Sequence, residues 1–275
     1  MDIVVYKLGG SILRGREDLG RIADVAESEL GAGRVPVCVV SAMKGVTDRI
    51  IQALSQVRVG GFICPGPNCT TVGLTVSLKP LMDAYGVRAV HVVSEQALSG
   101  AGERGLRLDS PYRKSVEMNV LPYIEGEEAK VEKETNKILG KLSVDGVKGA
   151  GIAIGATCTR VHVQTVHTEA VYVDTKKPCS ADDAKEAMRG YVSEPQKLKL
   201  PSAPEKPIIV FDEPEMPQPK LHRKYGGDVT LVGRLRKDPV FRNGLAYVVT
   251  SDNLDKGAGG GAVQTAEYLR AKRYF

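Results

Sequence analysis

Tryptophan is absent from these 275 residues, and aromatic side chains of every kind make up only 5%. A nucleic-acid groove depends on aromatic platforms set among clustered basic residues. Here 38 Lys and Arg against 33 Asp and Glu leave a net charge of +5, spread along the chain rather than gathered in a block. That argues against nucleic acid and suits small anions such as phosphates. No apolar run approaches the roughly 20 residues that span a bilayer, so no membrane partner is expected. The opening MDIVVYKLGGS lacks the layout of a secretory signal. Cysteine is scarce and oddly counted: residues 38, 64, 69, 158 and 179 form no CxxC pair and have no finger-like histidine partners. A disulfide framework and a structural metal site are therefore not expected. A reducing cytoplasm is the expected setting, and there a thiol stays available for chemistry.

The periodicity predicts two unlike segments. Residues 3–6 form a β-rich run broken by Gly9-Gly10-Ser11, residues 17–30 repeat apolar positions at helical spacing, and 35–40 form a second buried run. This is a parallel βαβ unit, followed by a helix-like 48–54. The pattern then lapses, which places a boundary between units at 1–58 and 59–275. In the second unit, helices are predicted over 69–86, 126–140, 180–191 and 261–272. Strands are predicted at 87–94, 151–157, 160–163, 167–174, 229–236 and 245–252. The fold class is α/β plus α+β: the small parallel unit, then a mixed or antiparallel sheet covered by helices.

Cys69, in PGPNCTTVGL, falls where a loop gives way to a helix. Helix N-termini carry partial positive charge and unpaired N–H groups, which favour thiolate over thiol and can hold an oxyanion. A buried thiol filling a helix–strand junction is the alternative. Glu127 and Lys130, three apart, leave one face of a helix, as a site pair or as a solvated ion pair. Arg160 can grip a carboxylate with two parallel bonds, and His167 is a proton carrier able to activate a thiol. His162, His91 and His222 read as structural or exposed.

Several ordered stretches together resemble the aspartate-semialdehyde dehydrogenase family, in its archaeal and fungal branch, over residues 60–275. They include GFICPGPNCTT, LKPLMDAYGVR, QALSGAG, NVLPYIEGEEAKVEKETNKILG, ATCTRVHVQTVHTEAVYV and LPSAPEKPIIVFDEPEMPQP. The resemblance implies a catalytic and dimerisation domain. It implies NADP-dependent reductive dephosphorylation of aspartyl phosphate to aspartate semialdehyde through a cysteine thioester, an oxidoreductase step in lysine, threonine and methionine biosynthesis. It makes Cys69 the nucleophile, Gln96 the residue positioning the thioester, and His167 the acid/base that takes the thiol proton. Arg160 then clamps the substrate carboxylate, Glu127 binds its amine, Lys130 binds phosphate, and Asn68 joins the substrate-binding set. Ser99, Gly100, Gly102 and Asn253 line the cofactor. The partners implied are the small substrate, phosphate and further copies of the chain, as homodimer or homotetramer.

The chain departs from that pattern in several places, among them the Pro65-Gly66 pair before PNC and the late stretch SDNLDKGAGGG. Val166 replaces a usual glycine before the histidine, and Lys256 stands where an arginine is frequent. At the front, the family's Gly-x-x-Gly-x-x-Gly dinucleotide loop is absent, so cofactor binding is expected to be weakened. Residues 1–56 instead resemble an aspartate kinase of the amino-acid kinase family, through IVVYKLGGS and VCVVSAMKGVTDRII. That resemblance would set Lys7, Gly9, Gly10 and Ser11 against ATP phosphates, with Ser41, Thr47 and Asp48 further along. The alternatives to dehydrogenase chemistry are thus a kinase-like nucleotide-binding activity, or a non-catalytic dimerising chimera.

Overall fold

A computed structural model describes residues 3–8, 16–41, 64–144 and 146–274. Strand β1 (Ile3–Leu8), helix α1 (Arg16–Gly31) and strand β2 (Val35–Ser41) form the expected parallel crossover. Gly9, Gly10, Ser11, Thr47, Asp48, the helix-like 48–54 and the boundary at 58/59 lie outside the described residues. Lys7 and Ser41 are described only as backbone positions on β1 and β2.

A third short strand, β3 (Cys64–Gly66), pairs in parallel with β2, Val39 opposite Cys64 and Ser41 opposite Gly66. The sequence reading assigns these residues to the second unit, whereas in the structure they extend the first sheet. Only Pro67 and Asn68 then separate β3 from α2 (Cys69–Tyr85). Cys69 therefore sits just beyond the carboxyl end of a parallel strand, where open α/β sheets place their ligands.

Asn68 starts α2 by accepting hydrogen bonds at its side-chain oxygen from the backbone N–H groups of Thr70 (2.9 Å) and Thr71 (3.3 Å). That satisfies two of the donors every helix start leaves open. Gly86, at φ 69°, ends the helix in a conformation glycine tolerates best.

The main sheet has the order β10-β11-β12-β9-β4-β8-β5. Its members are β4 (Val87–Gln96), β5 (Val120–Leu121), β8 (Ala153–Val161), β9 (His167–Thr175), β10 (Ile208–Val210), β11 (Thr230–Asp238) and β12 (Gly244–Ser251). A separate hairpin, β6 (Lys141–Ser143) with β7 (Gly146–Lys148), carries no periodicity the sequence reading could use. The two strands predicted at 151–157 and 160–163 are one. β8 pairs continuously with β4 from Ala153 to Arg160, and His162 lies past its end.

Helices α2, α3 (Glu127–Ile138) and α4 (Ala181–Arg189) cover one face of this sheet. Ser180 and Asp183 close the predicted capping box at the start of α4. Leu74, Leu78, Leu81, Val131 and Met188 pack from the helices onto Val92, Val171, Val173, Leu245 and Val249. Each such side chain, fully buried, contributes about 1.5–3 kcal/mol. The closing helix α5 (Gly259–Ala271) leaves this layer and lies beside β1, so the first sheet covers part of it.

Candidate active site

Alternation along the strands sends every second side chain to the helix-covered face, and register decides which of them become neighbours. Ser251 lies opposite His167, and Gln96 lies opposite Arg160. One row across four strands thus carries Ser251, His167, Gln96 and Arg160, beneath the first turn of α2. There Cys69 Sγ is 3.3 Å from His167 Nε2. The other ring nitrogen, Nδ1, accepts a hydrogen bond from the backbone N–H of Ala97 at 3.1 Å. His167 is fully buried, and burial together with the Arg160 charge lowers its pKa to about 3, with Asp252 pulling the other way.

Arg160 is 2% exposed, unusual for so polar a group, and its guanidinium is fixed at two points. Nη1 donates to the Ala97 carbonyl oxygen at 2.7 Å, and Nε donates to the Tyr112 hydroxyl at 3.3 Å. Arg104 stacks 4.4 Å from the centre of the Tyr112 ring. Neither Tyr112 nor Arg104 was legible beforehand, because a lone tyrosine in a short helix gives no spacing signal.

Asn68 ties α2 to α3. Its side-chain NH2 donates to Glu127 Oε1 at 2.8 Å and its backbone N–H donates to Glu134 Oε2 at 2.7 Å. Glu127 is buried and also meets Lys130 Nζ at 3.5 Å, while the lysine side chain is 41% exposed. Asn68, Glu127 and Lys130 are thus one connected group, with Glu134 an added member. Burial raises the Glu134 pKa, with the Asn68 N–H opposing it.

The glycine-rich stretches have steric reasons to be bare. A Cβ on Gly100 would lie 2.5 Å from Arg160 Nη1 and 2.9 Å from His167 Cε1. A Cβ on Gly257, which sequence reasoning did not single out, would lie 2.8 Å from the Cys69 Cβ. Gly102 takes φ 64° and donates its N–H to the Ser99 carbonyl. Ser99 and Asn253 are buried against one another. The Asn253 amide donates to the Ser99 hydroxyl at 2.9 Å, and its oxygen accepts from the backbone N–H of Val166 at 3.0 Å.

Val166, the residue that departs from a usual glycine, takes φ 74° and is buried. Left-handed backbone costs a residue with a side chain about 1–2 kcal/mol, most for β-branched ones. We therefore expect an inverted order of stability. Val166→Gly trades burial against relief of strain, whereas Val166→Ala loses burial and keeps much of the strain. In urea unfolding the glycine variant should be at least as stable as the alanine variant. At an ordinary position glycine is the worse of the two by roughly 0.5–1 kcal/mol.

One row deeper, Glu169 lies between Ser94 and Val249 on the same face, with Gly73 of α2 above it. It is buried, and among the described residues neither carboxyl oxygen meets a hydrogen-bond partner. Burial raises its pKa well above the ordinary 4.5. The native state thus holds this proton more tightly than the unfolded chain does. The stability linked to it is complete below about pH 4.5 and is lost as pH rises towards the folded value. Relative to wild type, Glu169→Gln should gain thermal stability as pH rises above about 4.5. A stability difference that stays constant above that pH would mean the carboxyl does not titrate this way.

Comparisons with known proteins bear on this arrangement. Residues 78–256 match the family model described as semialdehyde dehydrogenase, dimerisation domain. The chain belongs to the semialdehyde dehydrogenase family. Among named relatives, the aspartate-semialdehyde dehydrogenase of Methanothermobacter thermautotrophicus is 44% identical over 210 residues, 76% of this chain and 59% of the relative. That of Archaeoglobus fulgidus is 45% identical, over 76% of this chain and 58% of the relative. The solved aspartate-semialdehyde dehydrogenase with NADP from Candida albicans superposes with a TM-score of 0.75 at 29% identity, over 100% of this chain and 79% of that one. The chain spans about three-fifths of the length of the curated relatives it matches. The kinase-like reading of residues 1–56 gains no support from these matches, since the likeness to the Candida structure extends over the whole chain. Among the described residues no helix is long and apolar enough to cross a membrane.

Proposed function

We propose that this chain performs aspartate-semialdehyde dehydrogenase chemistry in the cytoplasm: reversible, NADP-dependent conversion of aspartyl phosphate to aspartate semialdehyde and phosphate. The observation that carries the reading is the Cys69–His167 contact at a helix N-terminus, in one row with Gln96 and Arg160.

In this mechanism the Cys69 thiolate, favoured by the positive end of the α2 dipole, attacks the acyl carbon. The carbon–sulfur bond forms, the carbon–oxygen bond to phosphorus breaks, and phosphate leaves with the bonding electrons. Arg160, already pinned through Nη1 and Nε, presents Nη2 to the substrate carboxylate. Glu127, held by Asn68, receives the substrate ammonium, and the more exposed Lys130 receives phosphate. Gln96 lies in the same row and positions the acyl oxygen.

NADP, when bound, supplies or accepts hydride at the carbon attached to sulfur. Two features fit it. Gly100 is exposed while packed beside Arg160 and His167, so its backbone is open to a ligand at the reacting groups. Ser99 and Asn253, bound to one another, hold the loop that carries Gly100, while Gly102 sets its turn.

Self-association belongs to the same proposal. On the face of the main sheet away from the helices, Val93, Thr157, Ala170 and Tyr172 are only partly buried. A second copy covering this face gives a homodimer, which sedimentation will detect. The catalytic test is NADPH formation from NADP and aspartate semialdehyde, with and without phosphate. The reading predicts formation that depends on phosphate. Absence of any phosphate-dependent signal would refute it.

A further inference from the structure

We infer that Tyr112 is a positioning residue: its hydroxyl holds the Nε edge of Arg160, so that a substrate carboxylate meets the guanidinium through its Nη atoms. This rests on the proposed reading of Arg160 as the carboxylate clamp, and it adds a residue that the family resemblance does not supply.

Arg160 is nearly out of water, yet among the described residues no carboxylate pairs with it. Two neutral oxygens hold it instead, the Ala97 carbonyl at Nη1 (2.7 Å) and the Tyr112 hydroxyl at Nε (3.3 Å). Neutral acceptors orient a guanidinium without cancelling its charge, which stays available to an anion. A carboxylate in place of the phenol would neutralise that charge. An apolar side chain would leave Nε unpaired at an almost dry position.

The donor geometry then decides how a ligand is gripped. Nε carries a single N–H, and Tyr112 takes it. The two parallel bonds of a carboxylate therefore cannot run along the Nε edge. Ala97 takes one Nη1 proton, and the remaining Nη protons are left to the ligand.

Tyr112 is itself held in place. It lies in a short helix, Pro111–Val116, which Pro111 opens at a position suited to its fixed φ. Val116 is fully buried and anchors the far end. Arg113 Nη1 donates to the Gly105 carbonyl (3.3 Å) and to Gln164 Oε1 (3.1 Å). The Gln164 carbonyl in turn accepts the Ser99 N–H at 3.1 Å. Arg104 lies 4.4 Å from the centre of the Tyr112 ring, a cation–π contact that favours one ring plane. β5, which follows the helix, sets Leu121 opposite Arg160. The tyrosine and the arginine it holds thus share one frame.

Tyr112→Phe keeps the ring beneath Arg104 and removes only the hydroxyl. It should raise KM for aspartate semialdehyde about tenfold, the scale of a hydrogen bond to a charged group, and lower kcat less than about threefold. In an Arg160→Lys background the same change should alter KM less than about twofold, since no guanidinium remains to be held. A second readout needs no substrate: the Arg160 Nε–H signal of nitrogen-15-labelled protein, assigned by its loss in Arg160→Lys. Its proton should exchange with water at least about tenfold faster in Tyr112→Phe than in wild type. Wild-type KM with unchanged exchange in Tyr112→Phe would overturn the inference. Equal KM rises in the wild-type and Arg160→Lys backgrounds would overturn it too, because the hydroxyl would then act otherwise than through Arg160. A wild type without phosphate-dependent NADPH formation would sink the functional reading, while Nε–H exchange still decides whether Tyr112 holds Arg160. Phosphate-dependent activity with wild-type KM in Tyr112→Phe would sink this inference and leave the functional reading standing.

Discussion

Cys69→Ser is expected to lower phosphate-dependent NADPH formation by on the order of 10⁴-fold or more, while leaving the fold intact. The oxygen fits the same space and keeps a contact with His167 Nε2, so packing is nearly unchanged. Chemistry is not. The positive end of the α2 dipole can stabilise a thiolate, since a cysteine thiol has an intrinsic pKa near 8.5. It cannot hold an alkoxide, because a hydroxyl is far less acidic than a thiol. A serine variant retaining even about a hundredth of wild-type turnover would mean that the acidity of the nucleophile does not limit the reaction.

Gly100→Ala should cost about 100-fold or more in kcat/KM, the scale of a 1 Å misplacement of a reacting group. The added methyl would reach Arg160 Nη1 and the edge of the His167 ring together. An exposed arginine tip would swing aside. This one is tied at Nη1 to Ala97 and at Nε to Tyr112, and yielding breaks one of those bonds. Moving the histidine loses the Ala97 N–H bond instead and changes its distance to Sγ. Either response damages catalysis, whereas the main core at Leu74, Leu78 and Val171 lies outside the contact. Kinetic parameters beside urea unfolding separate the two effects: a large loss of kcat/KM with a stability change under about 1 kcal/mol is expected. An alanine variant with wild-type kinetics would show that the loop relaxes freely.

Much of this site is written locally. Asn68-Cys69 ahead of an apolar helix announces a capped N-terminus, and Glu127 with Lys130 announces a shared helix face. Ser180 and Asp183 announce a capping box, and the left-handed backbone at Val166 answers to the glycine usual there. What could not be read depends on register. Nothing between residues 96 and 251 states that Ser251, His167, Gln96 and Arg160 share one row, because that follows from which strands pair and in what phase. Ala97 leaves no trace in sequence either, since its contribution is a backbone N–H and C=O that any residue possesses. Gly257 and Glu169 were missed for a related reason: each matters through a neighbour far along the chain, Cys69 for one and Gly73 for the other. The fold was legible except where pairing overrides local pattern, as when β8 runs unbroken along β4 and β3 extends the first sheet.

The most direct measurement needs no cofactor. Mixing the protein with aspartyl phosphate, quenching in acid and mapping the peptides isolates the acyl-transfer half of the reaction. The account predicts one aspartyl group per chain, on Cys69, with release of an equal amount of phosphate. No adduct and no phosphate burst would contradict it, and so would labelling spread equally over Cys64, Cys158 and Cys179.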